Sequence, residues 1–380
     1  MYETVSREMM DFVQRSPSCF HAVSELAKML EQAGFIALQE SDAWKLQPGK
    51  GYYVTRNGSA VMAFRMPPEK PTGFMIAAAH SDAPTMKLKD IAELSDQNYV
   101  RLNVEKYGGA ILEPWMDRPL SVAGRVSVQQ GSRVFTRLVN IDRDLLLIPH
   151  MAIHMDRGMN DGRALNPQID MLPVYGQASS AGTLKNLIAE AAGVQPEQLL
   201  ASDLFLYLRQ PGSVWGAENE FISSPKLDDL QCAWACTKAI CETENKHMIP
   251  LCAIFDNEEV GSTTKQGAGV TATVVDLGNR FRLIVNDVDL IKSQPLPKLP
   301  VASALWIPQP SFEVGVGCWM NAGGTHHSCF SFGLTDEYWR DYAEIADIEC
   351  CIINNDTTYE GFRQDLRVNE VYYMLSKALR

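Results

Sequence analysis

Gly73-Phe74-Met75-Ile76-Ala77-Ala78-Ala79-His80-Ser81-Asp82 decides how this chain is read. The stretch from Gly73 to Ala79 is apolar without alternation. That pattern fits a strand buried on both faces, as in a parallel or mixed sheet under helices. It stops abruptly at an imidazole and a carboxylate. A second run, Ile249-Pro250-Leu251-Cys252-Ala253-Ile254-Phe255, stops as abruptly at Asp256-Asn257-Glu258-Glu259. Ligands of open α/β sheets sit beyond the carboxyl ends of the strands. Both runs therefore end in metal-ligand chemistry at the place where a ligand belongs.

Working outward, Val5, Met9, Phe12 and Val13 fall on one face of a helix that Arg15-Ser16-Pro17-Ser18 breaks. Phe20, Val23, Leu26, Ala27 and Leu30 mark a second helix, with Gly34 placed to end it. Tyr52 to Met66 reads as two strands around Asn57-Gly58, a type I′ hairpin signal. Between the two buried runs, from about Asp90 to Asn219, the character changes. β-like stretches (Gly124–Val128, Val134–Val139, Leu145–Ile148) alternate with many Gly and Pro, and one helix is legible near Leu184–Ala192. This reads as a domain inserted between the two halves of an α/β domain. After Asp228 a helix begins, and Asn369 is placed to cap a last one over Val371, Leu375 and Leu379.

The chain has 380 residues, a prior of roughly two to three domains at about 150 residues each. Apolar residues make up 46% and charged residues 21%, so disorder is excluded as the main state. No apolar run approaches the roughly 18–20 residues of a membrane helix, and no secretory leader is legible. A formal charge of −12 argues against nucleic acid as a partner. Nine cysteines without CxxC spacing fit reduced thiols in the cytoplasm. The expected location is cytoplasmic, with no membrane or nucleic-acid partner.

The chemistry concentrates in a few side chains. His80 offers an imidazole nitrogen. Asp82, two positions on, projects to the same side and is placed to accept the other ring N–H, fixing the tautomer. The alternative is a satisfied histidine before a polar turn. Glu258 and Glu259 repel each other and resist desolvation, and a cation relieves both costs. One then ligates while the other serves as general base. A solvated acidic loop is the plainer reading. Asp228 is either a helix N-cap or a carboxylate bridging two metals. Histidine with carboxylates and no cysteine suits a hydrolytic Zn²⁺, Co²⁺ or Mn²⁺ site. Gly261 to Gly269 does not match a phosphate loop, no Gly-x-Ser-x-Gly elbow is present, and His21 reads as structural.

Several ordered motifs are similar to those of the M18 metallopeptidases, the aspartyl aminopeptidase and aminopeptidase I family. They are Arg15-Ser-Pro-Ser-Cys-Phe-His-Ala-Val23, Gln32-Ala-Gly-Phe35, Tyr53-Val-Thr-Arg-Asn57, Ala79-His-Ser-Asp-Ala-Pro84, Tyr107-Gly-Gly-Ala110, Trp115-Met-Asp-Arg118, Ile148 to Arg157, Glu220-Phe221, Lys226-Leu-Asp228 and Asp256 to Ser262. The resemblance covers about residues 1–268 and departs after that. It implies an α/β fold with a zinc-peptidase-type mixed sheet flanked by helices, residues 1–89 with 222–380. It also implies an inserted β-rich dimerisation domain, residues 90–221. The implied function is a zinc-dependent aminopeptidase with two Zn²⁺ per subunit, Co²⁺ or Mn²⁺ being alternatives. Peptides are the substrates, and dimers build a larger homo-oligomer. By motif match His80, Asp228 and Glu259 ligate metal, Asp228 bridges, Glu258 is the base and Asp82 orients His80. His150 or His154 reaches a neighbouring subunit's active site. The family's late motifs, one with a metal Asp and one with a last histidine ligand, are missing. Asp287, His326 and His327 are the nearest stand-ins. The alternative function is accordingly a catalytically impaired M18-like protein acting as an assembly or binding module.

Overall fold

A computed structural model describes residues 2–71 and 73–268 and, beyond them, the backbone of strands at Ala272–Asp276, Phe281–Val285, Ala304–Trp306, Glu313–Met320, His326–Ser331 and Glu360–Arg363. In chain order the elements up to the site are α1 (Tyr2–Gln14), α2 (Cys19–Gln32), β1 (Ile36–Ala37), β2 (Gly51–Arg56), β3 (Ala60–Arg65) and β4 (Gly73–His80). There follow β5 (Thr85–Ser95), β6 (Tyr99–Tyr107), β7 (Leu120–Gln130), β8 (Arg133–Asn140), β9 (Val174–Gln177), α3 (Leu184–Ala192) and β10 (Leu199–Leu208). Then come β11 (Ser213–Trp215), β12 (Phe221–Ser224), α4 (Leu227–Glu242) and β13 (Met248–Phe255). Two compact units result. One holds the described residues up to Ala83 and from Ser213 onward, and the other holds Pro84–Gly212.

The first unit is built on a five-stranded mixed sheet in the order β1-β2-β3-β13-β4. Its two faces carry separate cores. Met75, Ala77 and Ala79 of β4 join Cys252 and Ile254 of β13 against Met9, Phe12, Val23, Leu26 and the buried side of α4. Phe74, Ile76 and Ala78 join Leu251, Ala253 and Phe255 in the other core. Alternate side chains of one strand thus enter two cores, which is why the sequence shows an unbroken apolar run. The helical side of β4 is lined by small residues, which leaves room for α4. That helix is buried almost all round, Cys232 and Cys236 included.

Local signals act as the sequence indicates. Gly34 ends α2 at φ +80°, and the bonds Phe35 N–H to Leu30 O and Gly34 N–H to Glu31 O form a Schellman cap. Asn57 and Gly58 both take positive φ, as a type I′ turn requires. Pairing resumes only at Ala60 opposite Arg56, so the connection holds one more residue, Ser59, than the simple two-residue turn. Ser59 is buried, and its carbonyl accepts the Ser81 hydroxyl at 2.6 Å. The extra residue therefore ties the hairpin to the end of β4.

The second unit is a six-stranded antiparallel sheet, order β8-β7-β10-β5-β6-β9, with α3 and its own apolar core. Leu145–Ile148, expected as a strand, makes isolated bridges instead. Among the described residues no helix is long and apolar enough to cross a membrane.

His21 is structural in its contacts. Its Nδ1 lies 2.8 Å from the Ser18 hydroxyl, and burial, helped by the nearby Lys226 ammonium, pushes its pKa from 6.5 down to about 4. A depressed pKa means the folded state holds His21 neutral while the unfolded state protonates it. That stabilisation is complete above 6.5 and is lost as pH falls through about 4. His21→Asn should therefore lose less of its urea midpoint than the parent between pH 7 and 4. Equal losses would show that His21 carries no such linkage.

Candidate metal centre

The centre is assembled by strand register. β13 runs parallel to β4 in step, from Met248 opposite Gly73 to Phe255 opposite His80. The strands end together, and the Ser81 N–H donates to the Phe255 carbonyl at 2.8 Å. His80-Ser81-Asp82 and Asp256 to Glu259 are thereby brought side by side. α4 supplies the third wall. Lys226 enters it at φ +58°, and its Nζ donates to the Ser16 carbonyl at 2.6 Å. Asp228 and Asp229 have non-helical dihedrals, and no side chain caps the helix. The N-cap reading of Asp228-Asp229 is replaced by two carboxylates turned toward His80.

His80 is 5% exposed. Its Nε2 lies 3.2 Å from Asp228 Oδ1, 3.9 Å from Asp229 Oδ2 and 3.9 Å from Glu258 Oε2. Its Nδ1 lies 3.0 Å from the Asp82 carbonyl oxygen and 3.4 Å from the Asp82 carboxylate. A carbonyl only accepts, so Nδ1 carries the proton and Nε2 is turned to the carboxylates as a ligand atom. The orienting bond thus comes from the Asp82 main chain. Its carboxylate has a different task, accepting the Glu258 N–H on one oxygen and the Glu259 N–H on the other, each at 3.2 Å. Two overlapping donor sets follow, His80-Asp228-Asp229 and His80-Glu258-Glu259, with the ligand atoms of each set within 4.8 Å of one another.

The electrostatics are those of a site short of positive charge. Burial drives Glu259 from 4.5 up to about 9. His80 opposes the rise, and the Asp228, Asp82 and Glu258 carboxylates add to it. Burial likewise raises Asp229 to about 7, against the pull of His80. Asp256 rises to about 6 through burial and the adjacent Asp82. An imidazole among converging buried carboxylates is the donor chemistry of a hydrolytic zinc site, and the residues present fit that ion.

Sequence reasoning missed Asp229, which was visible only as half of a capping pair, and Asp256, which reads as the end of a strand. Neither carries a local signal: Asp229 gains its place from the non-helical start of α4, and Asp256 from the pairing of β13 with β4. Other expected residues are elsewhere. His150 and His154 lie in the second unit. His150 Nδ1 contacts Asp117 Oδ2 at 2.7 Å and its N–H donates to Asp117 Oδ1 at 2.9 Å, while His154 is exposed. Asp287 lies outside the described residues, as do the side chains of His326 and His327.

With this geometry in hand, comparison with known proteins is informative. The model of the family described as aminopeptidase I zinc metalloprotease (M18) matches residues 12–277. The chain belongs to the M18 family. It is 42% identical over 272 residues to the probable M18 family aminopeptidase 2 of Clostridium novyi (strain NT), covering 69% of this chain and 63% of that protein. The chain thus spans under two thirds of that relative. Among solved structures, Chaetomium thermophilum mApe1 is 34% identical at a TM-score of 0.65, covering 70% of this chain and 65% of its own. The S. cerevisiae mApe1 dodecamer is 27% identical at 0.59, covering 70% and 64%.

The departure from M18 after about residue 268 has a definite character. Residues 253–349 match the L-arabinose isomerase C-terminal domain. The chain is 73% identical over 117 residues to the L-arabinose isomerase of Phocaeicola vulgatus (strain ATCC 8482), covering 31% of this chain and 23% of that enzyme. The tail is therefore not an eroded M18 sequence but one similar to a different protein. Asp287, His326 and His327 all fall in that stretch.

The raised carboxyl of Glu259 has a sign that can be checked. The metal-free folded state holds a proton on Glu259 that the unfolded state releases above 4.5, so this stabilisation is present at low pH and lost as pH rises through about 9. The melting temperature of the metal-free protein should fall across that window, and Glu259→Gln should flatten the fall. Zn²⁺ binding at pH 7 should release protons, seen by calorimetry in buffers of different ionisation enthalpy, with fewer released by Glu259→Gln.

Proposed function

We propose that this chain is a zinc aminopeptidase of the M18 type, removing N-terminal residues from peptides. The observation that carries the reading is His80 Nε2 lying within 3.9 Å of Asp228, Asp229 and Glu258 oxygens. By motif match His80, Asp228 and Glu259 hold the ion; His80 Nε2 and Asp228 Oδ1 are 3.2 Å apart, and Glu259 shares the second donor set with His80. Bound there, zinc supplies the Lewis acidity that polarises a scissile carbonyl and acidifies water. Glu258 has a 45% exposed side chain, so water and substrate reach it. It takes the proton of the attacking water and returns it to the leaving amine. Asp82 holds both glutamates by their main chain.

Both donor sets contain His80, and one imidazole nitrogen has a single lone pair. His80 therefore serves one cation at a time, and the proposal is for one ion beside it. A two-metal arrangement with Asp228 as bridge needs further donors, and Asp287, His326 and His327 are no part of this proposal because they lie beyond residue 277, where the M18 match has ended and the isomerase similarity continues. The second unit is proposed as the inserted dimerisation domain, and dimers build a larger homo-oligomer in the manner of the solved dodecameric relative. His150 or His154 then serves a neighbouring subunit's substrate.

Purified protein with Zn²⁺ or Co²⁺ should cleave aminoacyl-arylamides, with about one tightly held metal per chain by elemental analysis. Glu258→Gln should cut turnover by about 10²-fold or more while keeping the metal. Undiminished activity in that variant would remove Glu258 from its role. One observation favours a second reading, a catalytically impaired module that folds, assembles and binds metal: the M18 match ends at residue 277. Metal retention without turnover under Zn²⁺, Co²⁺ or Mn²⁺ would establish it.

A further inference from the structure

The acidic turn of Glu258 and Glu259 is gripped from two sides, and only one grip belongs to the ligand cluster. Asp82 holds the two N–H groups. On the opposite side stands Asn257, at φ +63°, a left-handed conformation that asparagine tolerates better than most residues. Its side-chain Oδ1 accepts the Thr264 hydroxyl at 2.7 Å and the Gln266 Nε2–H at 2.9 Å. Both lone pairs of that oxygen are thereby used. Its carbonyl accepts the Ser262 N–H at 2.8 Å, and its own N–H donates to Asp256 Oδ1 at 2.7 Å. The loop closes where the Asp256 N–H donates to the Gln266 carbonyl at 3.0 Å. The side chain of Asn257 thus ties the acidic turn to the returning loop, and its main chain ties it to Asp256 at the strand end.

Adjacent carboxylates repel, and a single-turn 3₁₀ segment, Glu258–Val260, has little of its own to resist that. We infer that Asn257 is a positioning residue that, with Thr264 and Gln266, aims Glu258 and Glu259 at the cation position beside His80. The inference rests on the reading of that cluster as a metal centre. Nothing in the M18 or isomerase similarity assigns this residue a task. Groups that fix ligands from outside typically change metal affinity about 10–100-fold when lost.

The test is a Co²⁺ titration of the full chain, reading affinity and the visible absorption bands that report ligand geometry. Asn257→Gly keeps the left-handed backbone and removes the acceptor. It should bind Co²⁺ about 10–100-fold more weakly, with shifted bands. The double variant Thr264→Val, Gln266→Met leaves Asn257 in place, and it should show the same change. It decides the matter if Asn257→Gly does not fold. Thr264→Ser, which keeps the hydroxyl, should restore the parent's affinity and spectrum. Parental affinity and bands in Asn257→Gly, or in the double variant, would overturn the positioning role. His80→Ala separates this from the underlying reading: if it too binds Co²⁺ like the parent, the metal centre itself is wrongly placed.

Discussion

The in-step parallel pairing of β13 with β4 is the constraint on which the rest of the molecule's chemistry depends. Phe255 opposite His80 fixes where both strands end. A slip of one residue would turn every side chain of β13 to the other core. The core against α4 takes Cys252 and Ile254 of β13 while the other takes Leu251 and Phe255, so a slip would exchange side chains of different size between two close-packed cores. Burial on both faces, a matter of packing, thereby sets how near His80 lies to the Glu258-Glu259 turn, while the start of α4 brings Asp228 and Asp229.

That placement costs stability, and the cost is legible in the acids. Asp229 and Glu259 are pushed up by burial first and by neighbouring carboxylates second, with His80 the main group opposing both. Among the described residues no lysine or arginine relieves the repulsion at these two acids. The protein spends main-chain bonds instead, holding Glu258 and Glu259 from Asp82 and from the loop behind Asn257. Main-chain groups held in this way would leave little reordering for the proposed cation to cost.

How much of this could be read from the chain follows the same physics. The two apolar runs and their polar ends were legible because two-sided burial removes the alternation that a half-buried strand would show. Gly34 and Asn57-Gly58 were legible because positive φ restricts residue type. Ser59 as an extra turn residue, Asp229 and Asp256 were not, since their roles come from contacts across long sequence separations. Asp228-Asp229 reads as a cap because capping residues and ligands are the same acids, and the left-handed entry at Lys226, the non-helical dihedrals of both acids and the missing side-chain cap separate the readings. Lost resemblance after residue 268 was seen, but its nature was not. A single sequence shows where one pattern stops, whereas the match of residues 253–349 to an isomerase domain needed comparison.

The switch of similarity bears on the metal centre in a specific way. The donors converging on His80 come from β4, the start of α4 and the turn after β13, all before residue 277, where the M18 match ends. A structural zinc site closes all four positions with protein ligands, whereas a catalytic one keeps a position open for water and substrate. The proposed ligands His80, Asp228 and Glu259 are three, with Glu258 more exposed beside them. Only after these donors is the chain similar to the isomerase alone, so the strand register and the buried charge on which the proposed cation position rests lie within the M18 match.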